Sequence, residues 1–181
     1  MIVFRHGDPR FPFLWESAAQ PPARWHAAGA GPVHYFADTP DGAWAEFLRH
    51  EEITTAEDLA GIRRALWAVE LPRLPTHQPR LPDAVLLGGP DSYPACQQEA
   101  ARLRARGLQG LRAPTAALQP GGARGWQVRA TLTLGPARDG VVYVLFGARP
   151  GLVGWLAAEQ ARPPAYLLAR VRQFGPSTEG R

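Results

Sequence analysis

The stretch PPARWHAAGAGPVHYFADTPDGAWAEFLRH, residues 21–50, constrains the fold more than any other part of the chain. Val33–Ala37 is a short run rich in β-forming residues, and it predicts a strand. Thr39, Pro40 and Asp41 then predict a helix start. The threonine hydroxyl caps free amides, proline suits the first helical position, and an acid suits the positive end of the helix dipole. The stretch therefore predicts a loop, a strand, a turn and a helix in that order.

Glu46 lies on that predicted helix and shares one face with apolar neighbours. Residues three and four apart on a helix point the same way, so Glu46 groups with Ala43, Phe47 and His50. A carboxylate on such a stripe is either paired with a cation on the same helix, such as Arg49 or His50, or placed there for chemistry. Spacing alone leaves both readings open.

Three further residues have side chains that suit a nucleotide substrate. Arg24 and Arg5 are candidates because a guanidinium binds a pyrophosphate through two parallel hydrogen bonds. Tyr35 offers a flat face for a base or a nicotinamide ring. Glu46 can stabilise positive charge that develops on a sugar carbon. Taken alone, Arg24 is equally compatible with a surface or core-bridging role, and Tyr35 with a half-buried strand position.

Composition limits the remaining possibilities. With 181 residues and 45% hydrophobic content, the chain is expected to form one globular domain with a core of its own. All 20 basic residues are arginine, so a phosphate-loop lysine, a lysine Schiff base and a serine–lysine pair are excluded. The net charge of +4 permits an anionic partner, but the arginines are scattered, and direct nucleic-acid binding is not expected.

No segment indicates a membrane span or a metal site. The longest apolar run, Val141–Phe146, is too short to span a bilayer. The N-terminus lacks the pattern of a secretory signal, so the cytoplasm is the expected location. The single cysteine, Cys96, excludes an internal disulfide, and no His-x-x-x-His or Cys-x-x-Cys pair suggests zinc. We therefore expect no bound metal.

The other segments predict an α+β fold, a mixed α/β single domain with short, mostly antiparallel strands and a few helices. Strands are predicted at Ile2–Arg5, Ala65–Leu71 and Asp83–Leu87, and Gln127–Leu134 is predicted to pair with Val141–Phe146. Helices are predicted at Thr54–Ile62 and Ser92–Arg106. The domain is expected to span residues 1–175, with residues 176–181 as a frayed tail.

The opening segment IVFRHG suggests an alternative function. It resembles the first signature of histidine phosphatases, in which an arginine and a histidine meet a phosphate after the first strand. That family also needs a second catalytic histidine late in the chain, but no histidine follows His77. The phosphatase alternative therefore lacks the second catalytic histidine, and His6 is equally compatible with an ordinary strand-end position.

The sequence resembles the RES domain family, named for arginine, glutamate and serine, whose members act as toxins paired with Xre-type antitoxins. The resemblance is strongest in ARWHAAGAGPVHYFADTPDGAWAEFLRH, which is similar to the family's Arg-Trp, Gly, Tyr-x-Ala and Ala-x-x-Glu progression. Weaker similarities are the FR pair at positions 4–5, the segment YPACQQEAARLRARGLQGLRAPTAA and the segment PPAYLLARVRQF. Together they cover most of the chain.

The resemblance implies a fold similar to ADP-ribosyltransferase toxins and a role for each of four residues. Arg5 and Arg24 would hold the phosphates and ribose of NAD+. Tyr35 would face the nicotinamide end, and Glu46 would stabilise the cation that forms as nicotinamide leaves. These roles are expectations from the family.

Four further positions are expected to contact the substrate. Trp25 belongs to the Arg-Trp pair, and His6 stands where an aromatic residue often follows the first-strand arginine. The family serine has two candidates: Thr115, in a turn similar to Pro-Ser-Ala, and Ser92, near the start of the later helix. A threonine at the serine position would keep the hydroxyl and add a methyl group.

The expected function is that of a toxin-type enzyme that degrades NAD+ as a substrate, without a further cofactor. It would cleave the nicotinamide–ribose bond with phosphate or water as acceptor, as an NAD+ phosphorylase or glycohydrolase. Besides the phosphatase reading, the alternatives are a protein ADP-ribosyltransferase and a non-catalytic NAD-binding module. The expected partners are NAD+, inorganic phosphate and an Xre-type antitoxin, and a homodimer is left open.

Overall fold

The computed structural model describes residues 1–14, 16–17, 19–72 and 76–174. Nine strands are present in these residues: β1 Ile2–Gly7, β2 Val33–Ala37, β3 Arg64–Glu70, β4 Thr76–His77, β5 Gly110–Pro114, β6 Trp126–Arg129, β7 Thr131–Leu134, β8 Val141–Phe146 and β9 Val153–Ala161. The α-helices are α1 Pro40–His50, α2 Asp83–Leu86 and α3 Tyr93–Ala105, and short 3-10 helices occupy Glu57–Leu59, Pro90–Ser92 and Ala165–Arg170. The expected tail, residues 176–181, lies outside the described residues.

Seven strands form one sheet in the order β4-β5-β8-β2-β1-β3-β9, and β6 and β7 form a separate two-stranded sheet. Neighbouring strands are antiparallel throughout, except for the short parallel pair of β4 and β5. The expected α+β class, with mostly antiparallel strands and few helices, is confirmed. Among the described residues, no helix combines the length and the apolar character needed to cross a membrane.

The two faces of the large sheet carry different parts of the core. On one face, helix α1 packs with Phe4, Ala37 and Leu66, while Leu103 of α3 packs over strands β5 and β8. On the other face, a separate cluster forms around Phe36 and its neighbours on β1 and β3. Successive residues of a strand point to opposite faces, so each strand serves both layers.

Helix α1 begins as the local sequence predicts. The Thr39 side chain accepts a hydrogen bond from the Gly42 amide at 3.0 Å, Pro40 occupies the first turn and Asp41 follows it. The Thr39 hydroxyl satisfies one donor that the first turn leaves without a helical partner, and Pro40 has no amide hydrogen to satisfy. The start of the helix is therefore fixed locally, and this in turn fixes which residues face strands β1 and β2.

The sheet opens between β1 and β2. These two strands share a single register pair, Phe4 with Ala37, whereas β1 and β3 share six pairs. Beyond Phe4, β1 continues to Gly7 and, among the described strands, pairs only with β3, whereas β2 pairs with β8 along its whole length. A split of this kind removes backbone pairing at the centre of a sheet and leaves room for a ligand between the strands.

Three sequence-based assignments of secondary structure are wrong. Residues 83–86 form helix α2 rather than a strand. The segment predicted to pair with Val141–Phe146 instead folds on itself as the β6–β7 hairpin, turning at Ala130 with a φ of 57°. Val141–Phe146 pairs with β2 and β5, at the centre of the large sheet. Within Thr54–Ile62, only Glu57–Leu59 is helical, as a single 3-10 turn.

His34, in β2, makes stability depend on pH. Its side chain is fully buried, and the Glu16 carboxylate lies 3.5 Å from Nε2. Burial first, and then the charge of Arg5, lowers the His34 pKa from an ordinary 6.5 to about 4. Because protonation is harder in the folded state, His34 stabilises the fold above pH 6.5, and that contribution is lost as the pH falls from 6.5 towards 4.

We therefore expect the free energy of unfolding to drop by about 2 kcal/mol between pH 7 and pH 5 through this one residue. Urea unfolding of wild type and His34→Phe at both pH values measures the drop, and the variant should show a smaller one. The exposed His50 provides the control, because His50→Gln should keep the wild-type difference. An unchanged difference in His34→Phe would contradict the prediction.

Candidate active site

Two adjacent cavities lie where the sheet splits. The larger, of about 680 Å³, runs between β1 and β2 and is called the split cavity here. The smaller, of about 200 Å³, contains Arg24 and Arg49 and is called the arginine cavity. Both cavities are lined by the same four residues, His6, Tyr35, Glu46 and Val142.

Glu46 stands at this junction, on helix α1, and Thr115 orients it. The Thr115 hydroxyl donates to Glu46 Oε1 at 2.7 Å and accepts from the Ala117 amide at 3.1 Å. Since a hydroxyl has one hydrogen, the amide bond leaves that hydrogen for the carboxylate. The structure shows no ion pair between Glu46 and Arg49 or His50 within the described residues, so the sequence-based alternative of a same-helix pair is not the arrangement found.

Arg24 lines the arginine cavity and is held by backbone carbonyls. Its guanidinium donates to the Val85 carbonyl at 3.1 Å and the Gly88 carbonyl at 2.6 Å, and it lies 4.8 Å from the ring centre of Tyr93. Ser92 accepts a further bond from Arg24 at 3.1 Å. None of these partners is a carboxylate, so the positive charge of Arg24 is positioned without being neutralised.

Arg49 is a second guanidinium in the same cavity, and sequence reasoning missed its role. It is buried, donates to the Ala116 and Leu87 carbonyls, and shares the Gly88 carbonyl with Arg24 at 2.7 Å. Burial, followed by the nearby charge of Arg24, lowers the pKa of Arg49. Arg49 is three residues from Glu46, so both lie on one helix face. This spacing was the sequence signal that could have identified Arg49 as a site residue.

Tyr35 presents its ring to both cavities, while its hydroxyl is engaged elsewhere. The hydroxyl accepts from the Trp25 amide at 3.0 Å and lies 2.9 Å from His26 Nδ1. His26 Nε2 is 2.7 Å from the Pro21 carbonyl, which can only accept, so Nε2 carries the hydrogen and Nδ1 accepts from Tyr35. Burial raises the pKa of Tyr35. The ring face, and not the hydroxyl, is therefore what Tyr35 offers a ligand.

Of the two arginines predicted from the sequence, Arg5 lines the split cavity and Arg24 does not. The Arg5 guanidinium lies 6.0 Å from the ring centre of Phe36, and its NH1 atom is buried without a hydrogen-bond partner among the described residues. Burial lowers the pKa of Arg5 to about 10. The group is therefore charged at neutral pH and lacks a partner for one of its nitrogens.

His6, next to Arg5 on the strand, is packed against aromatic rings of helix α1. It stacks on Trp44 with 6.3 Å between ring centres and meets the edge of Phe47 at 5.0 Å. Burial, followed by the charges of Arg64 and Arg5, lowers the His6 pKa to about 3. The ring is neutral at neutral pH, so it contributes a flat surface and a hydrogen-bond acceptor rather than a charge.

The structure gathers most of the predicted residues but divides them between the cavities. Arg24, Trp25, Tyr35, Glu46 and His6 line the arginine cavity, and Arg5 reaches only the split cavity. Thr115 and Ser92 line neither cavity. Thr115 donates a hydrogen bond to Glu46, and Ser92 accepts one from Arg24. Trp25 is almost wholly buried, with 1% of its surface exposed, so it belongs mainly to the core.

Sequence reasoning also missed residues that approach from distant parts of the chain. Tyr93 and Phe174 line the arginine cavity, and Phe174 lies 4.6 Å from the Arg49 guanidinium. Arg64, from β3, lines the split cavity. None of these positions has a local pattern that marks it, because the fold alone brings them to the site. In the described part of the chain, no group of three potential metal ligands is present.

Comparison with known proteins places this geometry in a family. A model of the RES domain matches residues 2–163, a range that includes the segment IVFRHG on which the phosphatase alternative rested. Among solved structures, the chain resembles one of the M. tuberculosis MbcT-MbcA toxin-antitoxin complex, with a TM-score of 0.55 and 16% identity over 93% of this chain and 86% of that one. None of the curated proteins matches. Because the family model covers most of its length, this chain belongs to the RES domain family.

Proposed function

We propose that this protein cleaves the nicotinamide–ribose bond of NAD+ and serves as the toxin of a toxin–antitoxin pair in the cytoplasm. The observation that carries the proposal is the position of Glu46. Its carboxylate is fixed by Thr115 at the junction of two cavities, and each cavity contains a guanidinium without a carboxylate partner among the described residues. An anionic dinucleotide whose reacting carbon carries positive charge in the transition state suits this distribution of charge.

The chemistry requires little covalent participation from the protein. The bond between ribose C1″ and the nicotinamide nitrogen breaks, and its electron pair leaves with nicotinamide. The positive charge that remains on the ribose resembles an oxocarbenium ion, and the Glu46 carboxylate stabilises it. The ring face of Tyr35, whose hydroxyl is held by the Trp25 amide and His26, packs against the nicotinamide end.

The arginine cavity favours phosphate as the acceptor. Arg24 and Arg49 share the Gly88 carbonyl and line a space of about 200 Å³ that also borders Glu46. Two adjacent guanidiniums attract an anion. A phosphate held there would lie next to ribose C1″, and one of its oxygens would form the new bond to that carbon as nicotinamide leaves. Water in the same position would give free ADP-ribose instead.

Product analysis after incubation with NAD+, with and without phosphate, tests the proposal. ADP-ribose-1″-phosphate formed only when phosphate is present is the expected product. Free ADP-ribose would identify a glycohydrolase, and a labelled protein band from radiolabelled NAD+ would identify a protein ADP-ribosyltransferase. Thermal stabilisation by NAD+ without any loss of NAD+ would overturn the proposal in favour of a binding module.

We also propose an Xre-type antitoxin as the protein partner. The support is membership of the RES family and the likeness to a structure of a toxin-antitoxin complex. The net charge of +4 favours an acidic antitoxin segment that enters the cavities beside Glu46. Co-expression with the product of a neighbouring helix-turn-helix gene should restore growth and retain NAD+, and a complex that leaves both cavities open would contradict this mode of inhibition.

A further inference from the structure

In the split cavity, the acidic side chains have bonding partners, whereas the arginines lack ion-pair partners among the described residues. Its acidic residues all have partners: the Asp8 carboxylate accepts two bonds from the exposed Arg10 guanidinium, the shorter at 2.7 Å, and one from the Arg10 backbone amide. Glu16 accepts a bond from the Arg149 backbone amide, and Glu46 accepts one from a threonine hydroxyl, as described above. Each carboxylate is therefore engaged by a neighbouring group, and Glu46 keeps its negative charge because a hydroxyl donor does not neutralise it.

The two arginines of the split cavity, by contrast, are incompletely paired. Arg5 and Arg64 form no ion pair within the described residues, and each has a buried nitrogen without a hydrogen-bond partner, NH1 in Arg5 and Nε in Arg64. A buried guanidinium nitrogen without a partner is costly unless a ligand supplies an acceptor. The cavity therefore presents two guanidiniums without ion-pair partners among the described residues, and an anion can supply the missing acceptors.

Arg64 is held in place by uncharged groups. Its guanidinium lies 5.1 Å from the ring centre of Phe47, and its NH2 atom is 3.4 Å from His6 Nδ1. The neutral His6 ring, itself stacked on Trp44, accepts this contact without cancelling the charge of Arg64. Arg64 is thus oriented and keeps its positive charge for a ligand.

The two guanidiniums stand on opposite faces of the split. Arg5 lies over Phe36, in the layer of the core that faces away from α1, whereas Arg64 lies over Phe47 of α1. A ligand in the opening between β1 and β2 meets one guanidinium on each side. Two phosphoryl groups joined by an oxygen match this arrangement better than one phosphate does, because each arginine can bind its own phosphoryl oxygens.

We propose that Arg64, together with Arg5, binds the diphosphate bridge of the dinucleotide in the split cavity. This inference rests on the proposed function for the identity of the full substrate, but the diphosphate site itself can be tested without turnover. It assigns Arg64 a positioning role: it holds the diphosphate so that the attached ribose reaches Glu46 at the junction of the cavities.

Calorimetric binding of ADP and AMP to the full chain tests the site directly. Wild type should bind ADP more tightly than AMP, and Arg64→Gln should weaken ADP binding by about 10- to 100-fold, the range for charge-assisted hydrogen bonds. The adjacent Arg63 is the matched control, since within the described residues its exposed guanidinium donates to the Ala60 and Ile62 carbonyls of its own turn and lines neither cavity. Arg63→Gln should bind ADP as wild type does.

Arg64→Lys separates charge from geometry and guards against misfolding. It keeps the positive charge without the planar fork, so it should recover part of the ADP affinity lost in Arg64→Gln, and urea unfolding verifies that each variant is folded. With NAD+ as substrate, Arg64→Gln should raise KM by the same factor and change kcat much less. A merely structural role for Arg64 would affect both parameters and would not distinguish ADP from AMP.

The outcomes separate this inference from the proposed function. Equal ADP affinity in wild type and Arg64→Gln, or no ADP binding by wild type, would overturn the diphosphate site. If ADP binding depends on Arg64 while wild type never consumes NAD+, the diphosphate site stands and the proposed NAD+ cleavage fails.

Discussion

Glu46→Gln is expected to slow NAD+ cleavage by roughly 10²–10³-fold, the usual cost of removing one electrostatic contact to a transition state. Glutamine keeps the size of the side chain and an oxygen that can accept from Thr115. It removes the negative charge that faces the developing cation. Because that cation exists only in the transition state, nucleotide binding in the ground state should fall much less. Rates of nicotinamide release and calorimetric binding of ADP measure the two effects separately.

Glu51→Gln is the matched control for this experiment. Glu51 is an exposed acid that caps the C-terminal end of the same helix and lines neither cavity. It changes the net charge by the same amount as Glu46→Gln but should leave the rate as in wild type. A Glu46→Gln protein that destroys NAD+ at the wild-type rate would remove Glu46 from the mechanism.

Arg49→Leu is expected to lower the free energy of unfolding by about 2–4 kcal/mol. Leucine fills part of the buried volume but donates no hydrogen bonds. The Leu87 carbonyl loses its guanidinium donor, and the Ala116 and Gly88 carbonyls each lose one of two. These carbonyls belong to segments far apart in sequence, so one side chain holds several parts of the site wall together.

Urea unfolding of Arg102→Leu provides the comparison. Arg102 is an arginine on helix α3 with about half of its side chain exposed, and it is paired with Glu99 at 2.7 Å. Removing an exposed pair of this kind costs less than about 1 kcal/mol. Equal losses in the two variants would show that the carbonyl contacts of Arg49 contribute nothing beyond an ordinary surface arginine.

Local chemistry made parts of this molecule predictable from sequence. Helix α1 starts where Thr39 and Pro40 place it, and the strand Val33–Ala37 has the predicted bounds. The position of Glu46 on a helix face with apolar neighbours followed from spacing alone, and Ala43 and Phe47 of that face are buried. In each case, the deciding interactions lie within a few residues along the chain.

Predictions that depended on distant partners failed or were missing. The alternating pattern of residues 127–134 indicates strands, but it does not specify which strand is the partner, and the segment pairs with itself through a turn at Ala130. The segment Asp83–Leu87 suggested a strand, yet Asp83–Leu86 forms helix α2. Arg64 and Phe174 reach the site only because the sheet order and the chain end bring them there.

The single backbone pair between β1 and β2 also bears on how the molecule can move. The sheet consists of two well-laddered halves, β4-β5-β8-β2 and β1-β3-β9, which meet at Phe4 and Ala37. We expect the two halves to move apart by a small angle about this pair while every other ladder remains intact. Such a movement would widen the entrance to the junction of the two cavities, where Glu46 stands, and narrow it again without partial unfolding.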